Sequence, residues 1–396
     1  MFDLQGKFNT ARIFTDNIEP EALSQILNLL NQEFVSGSKI RIMPDTHAGA
    51  GCTIGTTMTV TDRVVPNLVG VDIGCGMETV MLEERRVELQ KLDRVIHERV
   101  PAGFATREKP HPLLGEVDLS PLRAIKQVNR NRAELSLGTL GGGNHFIELD
   151  RDDDGKLYLV VHSGSRNLGK QVAEHYQEAA ARDLSKKARD TSKLVADLKA
   201  QGREGEIQAE LKKFRPCKID KNLAYLEDRL LEDYLHDMAI VQRYAALNRQ
   251  AIVQEIVKAM GWKVGEQFTT VHNYIDLDGR VLRKGAISAR KGERVLIPIN
   301  MRDGSLLCVG KGNADWNCSA PHGAGRLMSR SAAKQSITLS QFQKSMEGIY
   351  STTVGRNTID ESPFAYKPVE EILRNIGETV EVIQTIKPLY NFKAAE

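Results

Sequence analysis

Residues 157–169 read LYLVVHSGSRNLG. Leu157, Tyr158, Leu159, Val160 and Val161 run without a polar break, which describes a strand covered on both faces. The run ends on His162 and turns at once through Ser163, Gly164, Ser165 and Arg166, so a histidine stands at the tip of a buried strand. Upstream, residues 20–34 open with Pro20 at a first helical position and set Leu23, Ile26, Leu27, Leu30 and Phe34 on one face, the pattern of an amphipathic helix. SKIRIMPD (38–45), TIGTTMTV (53–60) and VVPNLVGVD (64–72) read as short strands separated by glycine-rich turns. Downstream, from about residue 168 to 260, glycine thins and Leu226, Leu230, Tyr234, Met238, Val241, Ala245, Ile252 and Ile256 recur at helical spacing before Gly261. FTTVHNYIDLDGRVL (268–282) returns to strand, with Asp278-Gly279 as a hairpin turn. The expectation is a mixed α/β (α+β) chain in which residues 1–396 form one domain, with a helical insertion over about 168–262.

Lys+Arg 54 against Asp+Glu 52 leaves a formal charge of +2 on 396 residues, so any polyanion site must be local rather than a global basic field. The basic run Lys186, Lys187, Arg189, Lys193, Lys199 and Arg203 alternates with Asp190, Asp197, Glu204 and Glu206, which reads as a solvated helix face. Hydrophobic residues at 41%, charged residues at 27% and a mean hydropathy of −0.34 exclude disordered and collagen-like classes. No apolar stretch is long enough for a membrane span and MFDLQGKFNTARIF carries scattered charges, so the expected location is cytoplasmic, without membrane association. Cys52, Cys75, Cys217, Cys308 and Cys318 contain no CxxC pair, which argues against a disulfide framework or zinc ribbon and leaves room for one functional thiol.

Metal-ligating residue types stand at the glycine-rich points. VGVDIGCG (69–76) places Asp72 and Cys75 three apart among glycines, GTLGGGNHFIEL (138–149) delivers Asn144, His145 and Glu148, VHNY (271–274) offers His272 inside a strand, and SAPHGAGR (319–326) offers His322 and Arg326. Singly, each has a structural explanation: a turn-forming aspartate, a small buried cysteine, a satisfied core histidine. Together they carry more weight, because His47, His145, His162, His272 and His322 all occupy Gly/Ser/Asn-rich strand-end contexts. One thiolate shared between two ions would give each three protein ligands and an open position, as a catalytic site needs. Mixed O/N/S ligation suits Mn, Zn, Co or Fe(II).

DTHAGAGCTIG (45–55), VGVDIGCG, GTLGGGNHFIEL, VHSGSRNLG, VHNY and SAPHGAGR, in this order, resemble the RtcB family of GTP- and manganese-dependent RNA ligases. The resemblance implies an RtcB-type domain of central β-sheets flanked by helices, with Asp72, Cys75, His145, His162 and His272 holding two Mn(2+) ions. It implies that His322 takes GMP from GTP, and that Asn144 and Glu148 contact the guanylate, Glu148 at the guanine edge. Arg166 and Arg326 would hold phosphate, while Gly323, Ala324, Gly325, Tyr366 and Lys393 would complete the nucleotide pocket. The implied substrate is RNA with a 3′-phosphate or 2′,3′-cyclic phosphate and a 5′-hydroxyl, joined through a 3′-end capped with GMP, in RNA repair or tRNA splicing. An activating partner protein is left open.

One loop departs from the family pattern. IPINMRDGS (297–305) puts Asn300 where a hydroxyl is expected, with Ser305 retaining the second. Two rival readings keep the site but drop ligation: a two-metal RNA cyclic phosphodiesterase, and a non-catalytic RNA-end binding protein. Neither needs a nucleophile at His322.

Overall fold

The computed structural model describes residues 1–214, 216 and 218–394; Cys217 lies outside them. In chain order the strands are β1 (Phe2–Gln5), β2 (Thr10–Ile13), β3 (Ile40–His47), β4 (Ile54–Thr59), β5 (Gly76–Leu82), β6 (Phe146–Arg151), β7 (Leu157–Ser163), β8 (Val264–Val271), β9 (Asn273–Asp276), β10 (Val281–Lys284), β11 (Ala286–Ser288), β12 (Arg294–Asn300), β13 (Gly304–Gly310), β14 (Ser319–Pro321) and β15 (Val380–Lys393). The helices are α1 (Pro20–Leu30), α2 (Leu89–Arg99), α3 (Arg130–Ser136), α4 (Arg166–Arg189), α5 (Ser192–Ala200), α6 (Ile207–Lys213), α7 (Asp228–Met260), α8 (Arg330–Ser336), α9 (Leu339–Ser345) and α10 (Val369–Ile376). The architecture is mixed α/β, as the sequence predicts. The larger sheet runs β12-β13-β15-β6-β7-β5-β8, the second runs β1-β2-β3-β4-β10-β9, and β11 pairs with β14.

Strand β7 is buried along its whole length, between β6 and β5. Leu157, Leu159 and Val161 pack with Ile96 of α2 and with Ile252 and Ile256 of α7, while Tyr158 and Val160 face Met77, Phe146, Leu296 and Ile386. Each fully buried aliphatic side chain contributes roughly 1.5–3 kcal/mol, so covering both faces fixes this strand in the sheet. Helices α4 to α7 lie in the stretch expected to be helical, with no helix among the described residues between Lys213 and Asp228. α7 packs Tyr234, Met238 and Val241 against Val172 and Tyr176 of α4 and stops at Gly261, whose φ of 71° continues the chain in the left-handed region. In this stretch Lys187 pairs with Asp183 and Glu227, and Arg203 pairs with Glu206. Among the described residues no helix is long and apolar enough to cross a membrane.

Two expectations are corrected. VVPNLVGVD is not a strand: Val64 bridges Leu226, and the chain then turns through a 3-10 helix over Pro66–Leu68. Pro66 has no N–H for a ladder and fits the first position of the turn, while Val64, Val65, Leu68 and Val69 still reach the core. His272 is likewise not inside a strand but in the break between β8, in the larger sheet, and β9, in the second. Its backbone N–H donates to Cys75 O (3.0 Å) and its carbonyl accepts from Ala286 (3.3 Å), which pins the crossing beside the Asp72–Cys75 turn.

Candidate metal and nucleotide site

The turn Asp72–Cys75 precedes β5, His145 precedes β6, His162 lies near the end of β7 and His272 follows β8, so adjacent strands of one sheet converge their ends. Gly74 turns with φ of 73° against α7, where a Cβ would meet Ala245 and Gln242 at 3.1 Å. Gly164 carries no side chain where a Cβ would fall 2.2 Å from Asp72 Oδ1, which lets the carboxylate lie against the backbone. Asp72 Oδ1 accepts from the Ser165 N–H (2.9 Å) and hydroxyl (3.1 Å), and Oδ2 lies 3.0 Å from His145 Nε2.

Cys75 Sγ lies 3.4 Å from His145 Nε2 and 3.3 Å from His162 Nε2. The Nδ1 atoms of these rings approach the Leu140 (2.9 Å) and Asn144 (3.2 Å) carbonyls, an arrangement that holds each Nε2 toward the sulfur. Two donor groups result, Asp72/Cys75/His145 and Cys75/His162/His272, with the ligand atoms of each within 4.8 Å of one another and Cys75 common to both. His272 Nδ1 is buried with no hydrogen-bond partner among the described residues, and a cation would supply one. Burial, then neighbouring imidazoles, hold His162 and His272 well below the ordinary histidine range, so both offer neutral lone pairs. Burial opposes the charge of Asp72, but the His145 hydrogen bond and the His145 and Arg166 charges outweigh it and keep the carboxyl low. Burial and the Asp72 charge push the Cys75 thiol well up, so a cation bound there displaces a proton. The donor set fits one or two divalent transition metals.

A cavity of about 300 Å³ opens beside this cluster, with His162, His272 and His322 on its wall and Asn144, Glu148 and Lys393 among its lining. The rings of His145, His162, His272 and His322 form a row with successive centroids 5.2, 5.1 and 4.9 Å apart. His322 follows β14, and Asp45 Oδ2 lies 2.7 Å from its Nδ1 and accepts its backbone N–H at 3.1 Å. Asp45 lies where the register of β3 with β4 shifts, between Ile42 and His47, and is fully buried. Gly325, with φ of 75°, passes so close that a Cβ would sit 2.2 Å from the Asp45 carbonyl. With Nδ1–H given to the carboxylate, the His322 Nε2 lone pair is free for chemistry.

Deeper in the cavity, Glu148 is buried and bonded by the Asn391 amide, and burial raises its carboxyl against the opposing charge of Lys393. Glu361 gathers the other cations: Lys393 binds it, Arg330 lies at 2.9 Å, Arg326 at 3.4 Å, and Tyr366 donates its hydroxyl at 2.7 Å. Burial disfavours the Glu361 charge, but Lys393 and Arg330 outweigh it and hold the carboxyl low.

The structure therefore brings Asp72, Cys75, His145, His162 and His272 together, and it places Asn144, Glu148, Asn300, His322, Gly323, Ala324, Gly325, Arg326, Tyr366 and Lys393 on one cavity. Two expected residues stand elsewhere. Ser305 is fully buried in β13 and off the cavity wall, because its strand position turns it inward. Arg166 lines a neighbouring groove, with its guanidinium laid across Gly141 and Nη1 3.0 Å from His145 Nδ1. Asn300 reaches the wall with its amide committed to its own turn, donating to Asp303 (2.8 Å) and accepting from the N–H groups of Arg302 and Asp303 (both 3.0 Å). Asp45, Glu361 and Arg330 were missed by sequence reasoning. Only Asp45 carried a signal, as the first residue of DTHAGAGCTIG.

The family model described as "tRNA-splicing ligase RtcB" matches residues 25–394. Similar curated proteins include the "RNA-splicing ligase RtcB" of Escherichia coli strain K12, 29% identical with 93% of each chain covered. The "RNA-splicing ligase RtcB2" of Escherichia coli strain ATCC 25922 is 29% identical over 91% of this chain and 88% of its own. The "tRNA-splicing ligase RtcB" of Aeropyrum pernix is 27% identical over 84% and 82%. A match over almost the whole chain, on a fold that gathers the metal-ligating motifs at one sheet end, means that this chain belongs to the RtcB family of RNA-splicing ligases.

Proposed function

We propose that this ligase joins RNA 3′-phosphate or 2′,3′-cyclic phosphate ends to 5′-hydroxyl ends, using GTP and a guanylylated His322. The observation that carries the reading is the pairing of His322 with buried Asp45 on the wall of a cavity that also holds Glu148. A histidine whose Nδ1 is fixed by a carboxylate presents Nε2 to an electrophile, and the carboxylate stabilises the positive charge the ring acquires on attack.

His322 Nε2 bonds the α-phosphorus of GTP as the bond to pyrophosphate breaks. An RNA 3′-phosphate oxygen then takes the guanylyl group from His322, and a 5′-hydroxyl displaces GMP to close the phosphodiester. Glu148 as carboxylate accepts from the N1 and N2 hydrogens of guanine, which ATP lacks in that pattern. Arg326 and Arg330, both on the cavity wall and held by Glu361, would supply the positive charge that meets the phosphates. Asp72, Cys75, His145, His162 and His272 would hold two Mn(2+) ions, which supply charge neutralisation at phosphorus when bound.

One incubation separates this from phosphodiesterase and RNA-end binding readings: α-labelled GTP, Mn(2+), and RNA bearing a 2′,3′-cyclic phosphate with a 5′-hydroxyl strand. Sealed RNA with acid-labile GMP on the protein is expected. Opening of the cyclic phosphate alone would leave a phosphodiesterase, and binding without either would leave an end-binding protein. His322→Ala should lose all labelling while keeping its fold and metal, and should regain sealing on RNA already capped with GMP at its 3′-phosphate.

A further inference from the structure

Helix α7 carries two successive polar residues, Asn248 and Arg249, that are fully buried. An amide and a guanidinium are costly in a core unless their donors and acceptors are answered there. Asn248 Oδ1 accepts the N–H groups of Gly138 (2.8 Å) and Thr139 (3.1 Å). Its Nδ2 donates to the carbonyls of Gly164 (3.0 Å) and Thr139 (3.2 Å) and to the Ser163 hydroxyl (3.0 Å). Arg249 Nη1 donates to the carbonyls of Gly74 (2.8 Å) and Ser163 (3.2 Å), and Nη2 to the Thr269 hydroxyl (3.2 Å). Burial pushes the Arg249 guanidinium down, and the charges of Glu78, Cys75 and Asp72 oppose this, so the cation faces the anionic side of the donor set.

These partners share one property: each belongs to a segment that supplies a ligand atom. Gly74 lies inside the Asp72–Cys75 turn, Ser163 follows His162, and Thr269 stands on β8 three residues before His272. Gly138 and Thr139 open the loop that leads to His145, whose Nδ1 faces the Leu140 carbonyl. Ser163 Oγ, which accepts from Asn248, donates to that same carbonyl at 2.9 Å, so a line of hydrogen bonds runs from α7 to the carbonyl that orients the His145 ring. Cys75 Sγ must meet His145 and His162 at 3.4 and 3.3 Å from three separate segments, and a slip of any one of them would open the cluster. We infer that Asn248 and Arg249 are positioning residues of the metal centre: they hold the four ligand-bearing segments in the register that lets Cys75 serve both donor groups, with Ser163 relaying that hold to His145. The inference rests on the reading of Asp72, Cys75, His145, His162 and His272 as metal ligands.

The test uses the full chain stripped of metal by chelation and titrated calorimetrically with Mn(2+). The melting temperature of the metal-free protein is measured in parallel, and the thiolate-to-metal absorption of the Co(2+)-loaded protein reports ligand geometry. Ser163→Ala keeps the strand and removes the relay, while Arg249→Lys keeps the buried charge and gives up the two-pronged hold on Gly74 and Ser163. Each should weaken Mn(2+) binding about 10–100-fold and diminish the Co(2+) band. Arg249→Met, which removes the charge as well, should bind Mn(2+) more weakly than Arg249→Lys. Tyr244→Phe is the control: it deletes a buried hydrogen bond from the same helix to the Ala133 carbonyl (2.6 Å), away from the ligand-bearing segments. It should lower the melting temperature yet leave Mn(2+) affinity and the Co(2+) band as in the wild type. Wild-type Mn(2+) affinity in both Ser163→Ala and Arg249→Lys overturns the inference, as does a loss of affinity that Tyr244→Phe matches at an equal loss of melting temperature. A wild-type chain that takes up no Mn(2+) would instead overturn the ligand reading itself, before any variant is compared.

Discussion

Asp45→Asn tests the proposed nucleophile through its partner. Asp45 Oδ2 receives the His322 ring at 2.7 Å and the His322 backbone N–H at 3.1 Å, from a fully buried position. Asparagine preserves volume and one carbonyl acceptor but removes the charge. A hydrogen bond to a charged acceptor contributes roughly 1.5–3 kcal/mol against about 0.5–1.5 kcal/mol for a neutral one, a difference of about 1–2 kcal/mol. During attack the imidazole gains positive charge; half a charge at about 4 Å, with an effective dielectric near 20, adds roughly 2 kcal/mol. The sum of about 3–4 kcal/mol corresponds to guanylylation ~10²–10³-fold slower. The assay is single-turnover labelling with saturating α-labelled GTP and Mn(2+), quenched over time, with metal content and melting temperature measured in parallel. The final extent of labelling should approach that of the wild type, because the nucleophile is still present. A folded, metal-replete Asp45→Asn protein that labels within about threefold of the wild-type rate would refute the role given to the Asp45–His322 pair.

Cys75→Ala should drive bound metal toward zero by elemental analysis, whereas Cys318→Ala, at a thiol whose contact is the Gly312 carbonyl, should leave it unchanged; wild-type metal in the Cys75 variant would exclude a bridging thiolate. Burial raises the Glu148 carboxyl, and guanine recognition needs the ionised form, so GTP affinity should rise with pH as Glu148 loses its proton and fall as the medium is acidified. Calorimetric titrations at several pH values check this, and Glu148→Gln should flatten the dependence and weaken the preference for GTP over ATP. Glu361→Ala strands buried Lys393 and should cost about 3–5 kcal/mol in urea unfolding, with Glu361→Gln losing less.

The sequence made β7 and α7 legible for different reasons: one is an unbroken apolar run, and the other keeps a helical apolar spacing up to a glycine that accepts positive φ. Scarce cysteine and histidine in Gly/Ser/Asn-rich contexts marked Cys75 and five histidines as candidates, and the family resemblance of their motifs, rather than spacing, singled out Asp72, Cys75, His145, His162 and His272 as a set. Asp45 and Glu361 gave no comparable sign, since acids are abundant and their partners are remote; Asp45 is 277 residues from His322 and Glu361 is 32 from Lys393. VVPNLVGVD misled because apolar content reports burial, and burial does not distinguish a strand from a tight turn that Pro66 favours. Asn300, on the cavity wall, and Ser305, off it, show the same effect. Spacing around Asn300 and Ser305 does not reveal that one amide is spent on its own turn and that one hydroxyl faces the core.

Strand β15 lies between β13 and β6, and it alone joins the β12–β13 pair to the rest of the larger sheet. It also brings Asn391 to Glu148 and Lys393 to Glu361. The two features therefore draw on different spans of the chain: the donor cluster is complete by residue 272, whereas the last residue lining the cavity is Lys393, on the strand that also holds the larger sheet together.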